Sequence, residues 1–148
     1  MDQYNDMAVA GMSAADVVAR GRAAAEALMT MRVRVHRADG PTVTDRTTGV
    51  VTQPTRVVYG AQEGGAPGKV QTGPSRQAAA GDVAGHFAVL EGHRVDLPVA
   101  SDCAPGDIVE VLSSAMDPDL IGLRFELQQC ARGEYRTADR WSAELVTR

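Results

Sequence analysis

The chain has 148 residues and a mass of 15.6 kDa, enough for one domain with one hydrophobic core but not for two. Aromatic residues make up only 4%, so a core must be assembled mainly from Val, Leu, Ile and Ala, and an isolated monomer is less assured than the length suggests. The net charge of −4 argues against a protein that grips nucleic acid, because Lys and Arg supply the affinity for phosphates.

Residues 1–12 read as an N-terminal arm: polar, without periodicity, and carrying Tyr4, Met7, Val9 and Met12 as scattered apolar anchors for a partner. The start, Met-Asp-Gln-Tyr-Asn-Asp, lacks the basic residues and apolar centre of a signal peptide, and no apolar run is long enough to span a bilayer. The expected place of synthesis is the cytoplasm, with no membrane partner.

A helix is predicted over about 13–31. Ser13 is its N-cap with Asp16 three residues on, and Val17, Val18, Gly21, Ala24, Ala25, Leu28 and Met29 fall on one stripe. The other side, with Arg20, Arg22, Glu26 and alanines, reads equally as a solvent face or as an interface. After Met31 the period drops to two. Val33 and Val35 alternate with Arg32, Arg34 and His36, and Val50 to Gln53 lead through Pro54 to Arg56-Val57-Val58-Tyr59. Turns are expected at Asp39-Gly40 and Thr48-Gly49.

Residues 60–81 are crowded with glycine and proline and read as a long loop in which only Lys69-Val70-Gln71 resembles a strand; Lys69 and Gln71 are its candidate partner contacts. Further strands are predicted at Ala84–Leu97, broken at Glu91-Gly92-His93, and at Ile108–Leu112, Leu123–Ala131 and Trp141–Val146. Ala104-Pro105-Gly106-Asp107 and Asp117-Pro118-Asp119-Leu120-Ile121-Gly122 are turns. In the second, Asp117, Pro118, Asp119 and Gly122 have a structural role: carboxylates on nearby amides, a preset proline and a positive φ. The pattern predicts an α+β, mainly β fold: an N-terminal helix followed by a small antiparallel β-barrel or sandwich, forming a single domain over 13–148.

No catalytic constellation emerges, and no cofactor is expected. His36, His86 and His93 stand apart without a second ligand at metal spacing, and Asp117 and Asp119 lack the ring of oxygens that calcium requires. Cys103 and Cys130 form no Cys-x-x-Cys pair and read as free thiols unless the fold brings them together. No serine sits in a nucleophile elbow.

Three pieces in order carry a family resemblance: Gly21-Arg22-Ala23-Ala24-Ala25-Glu26, the Arg-rich strand Arg32-Val33-Arg34-Val35, and the run from Pro105-Gly106-Asp107 through Asp117-Pro118-Asp119-Leu120-Ile121-Gly122-Leu123-Arg124-Phe125. Together they resemble the small head-to-tail connector proteins of tailed phages, in particular the head-closure or stopper proteins of long-tailed phages of high-GC bacteria. A genome of that kind suits a chain whose fifteen basic residues include Lys69 as the sole lysine. The resemblance implies a structural virion protein of the head–tail neck. It implies a homomeric ring of six or twelve copies, bound to the portal or adaptor on the head side and to a tail terminator or tail-tube protein on the tail side. Genomic DNA would pass through the lumen without sequence-specific binding, and mild acidity suits such a wall. A head–tail adaptor, or a tail terminator or other minor tail protein, is the alternative within that setting. A soluble ligand-binding barrel is a more remote one, weakened by the shortage of aromatics.

Overall fold

The computed structural model describes residues 11–75 and 90–146. Helix α1 (Ala14–Ala27) starts where the cap residues put it. Ser13 Oγ accepts from Asp16 N (3.2 Å) while Asp16 Oδ2 accepts from Ser13 N (2.9 Å), a reciprocal capping box. The helix ends at Ala27 rather than near 31, because Met31 already belongs to the first strand.

Nine strands follow among the described residues: β1 (Met31–Ala38), β2 (Val43–Thr44), β3 (Val51–Thr52), β4 (Thr55–Tyr59), β5 (Ala66–Ser75), β6 (Leu90–Leu97), β7 (Ile108–Ser113), β8 (Arg124–Cys130) and β9 (Asp139–Leu145). Six of them close into an antiparallel barrel in the order β1-β5-β6-β9-β8-β7 and back to β1. The predicted α+β, mainly β fold is therefore a barrel, and closure leaves these six strands without a continuous open edge.

β1 is the seam. Its first residues, Met31 to Val33, pair with β5, and from Val35 to Ala38, across a register shift at Val35/His36, it pairs with the extra strand β4. The other edge pairs with β7 from Arg32 to His36, with a register shift at Arg32/Val33. A third irregularity, where Gln128 is the additional residue between Leu127 and Gln129, bends β8 against β9.

Period-two alternation fills the interior. Val33 and Val35 of β1, Val95 and Leu97 of β6, Val109 and Val111 of β7, Phe125 and Leu127 of β8, and Trp141 of β9 are all essentially inaccessible to solvent. The two bulky aromatics compensate for an aliphatic core, and burying a side chain of this size contributes about 1.5–3 kcal/mol.

Three sequence expectations change. The stretch read as a long loop over 60–81 contains the ten-residue strand β5, and Lys69 and Gln71 are ladder residues opposite Asp96 and Arg94; residues 76–81 lie outside the described residues. Gly60, Gly65 and Gly68 serve close approach rather than looseness. Gly60 and Gly65 have φ of +79° each, and a Cβ on either would stand 2.4 Å or 2.6 Å from the Val33 carbonyl oxygen. Glu91-Gly92-His93 does not break a strand either, because β6 runs through it.

Asp39-Gly40 is a bend rather than a hairpin turn. The ribbon begun by β1 and β4 continues past it, through Asp39 N to Pro54 O (2.8 Å) and the β2–β3 pairs Val43–Thr52 and Thr44–Val51, to a tip at Asp45–Gly49.

Candidate functional site

The two turns singled out in the sequence shape one side of the barrel. In Ala104-Pro105-Gly106-Asp107, Asp107 N donates to Ala104 O (3.2 Å) and Gly106 takes φ +90°, the arrangement of a type II turn. Gly106 N reaches Leu127 O (2.7 Å) and Leu127 N reaches Asp107 O (2.9 Å), tying the turn to β8. The Asp107 carboxylate is buried. It accepts from Ala104 N (2.8 Å) and takes both arms of the Arg37 guanidinium, Nε and Nη2, at 2.9 Å each. That bidentate pair holds the Arg37 proton more tightly than usual, chiefly through the hydrogen bond to Asp107. It fastens the strand after α1 to the entrance of β7.

Asp117 to Gly122 forms a single 3-10 turn, Pro118–Leu120, with the Asp117 carboxylate accepting from Asp119 N (3.3 Å) and Ser114 Oγ accepting from Asp117 N (3.2 Å). Gly122 has φ +85° and donates to Val111 O (2.9 Å), which delivers Phe125 into the core while Arg124 stays half-buried. Among the described residues, no three His, Cys, Asp or Glu side chains gather as metal ligands.

Four pairs of titratable groups lie within ion-pair distance among the described residues, one of them the Arg37–Asp107 pair. His36 Nε2 lies 3.1 Å from Glu110 Oε2 across β1 and β7, and Arg94 and Arg136 face the buried carboxylates of Asp96 and Asp139. Cys103 and Cys130 are free, half-buried thiols; burial pushes Cys103 up to about 11 and raises Cys130 too. Burial also raises Tyr59 to about 12, with its hydroxyl donating to Pro67 O at 2.6 Å.

The surfaces open to a partner lie outside the barrel. α1 buries no residue completely; Val18, Gly21, Arg22 and Ala25 are half-covered, and Met29 is buried just beyond its end. The predicted apolar stripe is therefore rotated. Val17 and Leu28 are 54% and 66% exposed, and Arg22 turns inward, Nε donating to Arg136 O (3.3 Å). The reason is that the helix leans on the loop before β9, where Thr137 sits close over Gly21, instead of entering the core. Between α1 and that loop runs a shallow groove lined by Ala15, Val18, Ala19 and Ala23, with Tyr135 and the carboxylate residues Glu26 and Glu134.

Of the predicted contact residues, Met12 and Arg20 are exposed, Arg22 is held as described, Lys69 and Gln71 lie half-buried on β5, and Gln71 Oε1 accepts from Arg94 (2.7 Å). Tyr4, Met7 and Val9 lie outside the described residues. α1 and β5 thus share the candidate contacts without bringing them into one patch.

A family model matches residues 21–144, which is most of the chain. The chain belongs to this family of unknown function (DUF6093). The DUF6093 match starts at Gly21, inside α1, and runs through the ribbon and every barrel strand to Glu144 in β9. No curated protein and no solved structure matches the chain.

The ribbon inside that DUF6093 span is the surface that sequence reasoning missed. Val43, Val50 and Val51 are 55%, 54% and 62% exposed, and every residue from Ala38 to Val57 is classed as exposed. The signal was present in the β-branched residues flanking Asp45–Gly49, but period-two alternation alone does not say whether a hairpin joins a barrel or leaves it.

Proposed function

We propose that this chain is a structural subunit of a phage head–tail neck, a head-closure or stopper protein acting as a ring below the portal or adaptor. In that place it closes the DNA channel after packaging and presents the platform for the tail. The observation that carries the reading is the distribution of apolar surface. The barrel completes its own core, whereas α1 and the ribbon hold Val17, Leu28, Val43, Val50 and Val51 in solvent, as a protomer does when neighbours complete its burial. The resemblance supplies the setting, and its longest piece forms one continuous section of barrel, from the Asp107 turn through β7 and the Asp117 turn into β8. The net charge of −4 suits a lumen through which DNA slides.

The test is to interrupt the gene in a phage that encodes it and to sort the particles by negative-stain electron microscopy. The expected result is separate heads that have lost DNA and tails of normal length that never join. Tails of abnormal length would instead mark a tail terminator. Intact infectious virions lacking the chain would overturn the neck assignment.

A further inference from the structure

We propose that Asp39-Gly40, at the base of the β2–β3 ribbon, is a site of spontaneous covalent modification: the Asp39 carboxyl cyclises onto the Gly40 amide and reopens as isoaspartate, which re-aims the ribbon. The inference does not depend on the neck reading above.

Closing a five-membered ring needs an uncommitted carboxyl, an uncommitted amide and no side chain in the way, and this junction supplies all three. Asp39 and Gly40 are both exposed. Among the described residues the Asp39 carboxylate has neither a hydrogen bond nor an ion pair, and Gly40 N has no acceptor. Nothing lies within 4 Å of the place a Cβ on Gly40 would take. Asp-Gly occurs nowhere else in the chain, and the aspartate of the other exposed turn, Asp117, precedes Pro118, whose nitrogen carries no proton. Asp45, as exposed as Asp39, has its carboxylate occupied by the amides of Thr47 (2.7 Å) and Thr48 (3.4 Å).

The Gly40 nitrogen attacks Asp39 Cγ, and one carboxyl oxygen leaves as water, taking the amide proton and one proton from solvent. Water then adds to either carbonyl of the succinimide ring. Addition at Cγ restores aspartate. Addition at the main-chain carbon breaks its bond to the Gly40 nitrogen, so the chain now runs through Cβ and Cγ and the carboxylate stands on Cα. Nothing is oxidised or reduced.

Placement gives the modification its reach. On the barrel side Asp39 N donates to Pro54 O (2.8 Å), and on the ribbon side Gln53 Nε2 donates to Gly40 O (2.9 Å). The isomer adds one backbone atom between these two fastenings, so the β1–β4 and β2–β3 pairs can no longer keep the same relative position. The same fastenings restrain the rotation that carries Cγ to the nitrogen, and the exposed Gln53 side chain is the one a substitution can remove without touching the backbone.

The experiment keeps the full chain at physiological temperature and neutral pH beside a synthetic peptide of residues 38–46, the fragment trypsin releases between Arg37 and Arg46. After digestion the fragment from the aged chain should appear as two species of equal mass, the new one a methyl acceptor for an isoaspartyl methyltransferase. Asp39→Glu should remain a single species, because its ring would need a sixth member. Gln53→Ala should isomerise about fivefold faster, on the scale of one exposed hydrogen bond. A folded chain that stays a single species while the peptide has half converted would overturn the proposal. A second species that persists in Asp39→Glu would move the site to Asp45 and overturn it too. In the separated isomer the amide at position 39 should exchange faster with solvent while those of Val111 and Leu127 keep their protection. Unchanged exchange at position 39 would overturn the re-aiming of the ribbon.

Discussion

At Gly60 two constraints coincide: a backbone φ of +79° and a carbonyl oxygen of Val33 only 2.4 Å from where a Cβ would stand. Gly64, with φ +78°, has the first constraint and not the second, since nothing lies within 4 Å of its would-be Cβ. Gly60→Ala should therefore cost about 3 kcal/mol or more, by strain plus displacement of β1, against about 1 kcal/mol for Gly64→Ala. Urea denaturation of both variants measures the difference, and equal losses would show that the seam can give way at Val33. Gly122, with φ +85° and open space around it, belongs to the strain-only class. Gly122→Val should cost roughly 1–3 kcal/mol, whereas Asp117→Asn, which keeps an acceptor for the Asp119 amide, should cost well under 1 kcal/mol. Added calcium should leave both melting temperatures where they were, and a calcium-dependent rise would make the turn a metal site.

The ribbon is the element whose sequence and placement pull apart. Its residues alternate like those of a barrel strand, yet among the described residues its two short strands pair only with each other, and its valines stay in solvent. An exposed hairpin of this kind contributes little to global stability because it removes little apolar surface from water. Replacing Gly40 to Gln53 with a two-residue Asn-Gly turn should keep the melting temperature within about 3 °C, since at that scale a shift reports less than about 1 kcal/mol. The same variant should be missing from virions. A collapse of the melting transition would show instead that the ribbon supports the β1–β4 pairing, and normal incorporation would remove it from assembly.

Over the whole molecule, alkaline pH tests how tightly the barrel and its flanks enclose their weak acids. Burial raises Cys103 from 9.0 to about 11 and Tyr59 from 10.0 to about 12, so the folded state holds both protons more tightly than the unfolded chain does. Their contribution is complete below pH 9 and is lost as pH rises through 11 and 12, because the unfolded chain ionises first. Melting temperature should be level from pH 7 to 8.5 and fall between 9 and 12. Cys103→Ala should shrink the part of the fall between pH 9 and 10, leaving there the part that Cys130, whose thiol burial also raises, contributes. A profile unchanged by that substitution would show that the thiol meets solvent on opening motions too small to matter for folding.

What the amino-acid sequence determined by itself is local. Ser13 and Asp16 mark the helix start because the capping box closes within four residues, and Pro105-Gly106 and Asp117–Gly122 mark turns because proline and positive-φ glycine leave few other conformations. Val33, Val35, Val109, Val111, Phe125 and Leu127 announce their inward faces by strict alternation. The tertiary structure decided everything that depends on which elements meet. β5 was legible only as Lys69-Val70-Gln71, because glycines needed for the close passage over Val33 look the same in sequence as glycines of a loop. The orientation of α1 followed from the loop at Thr137, which no helical periodicity encodes. The pairing of Arg37 with Asp107 joins residues seventy positions apart. The candidate assembly surfaces were hidden for the same reason: exposure is a property of neighbours, and the valines of the ribbon differ from those of the barrel only in having none.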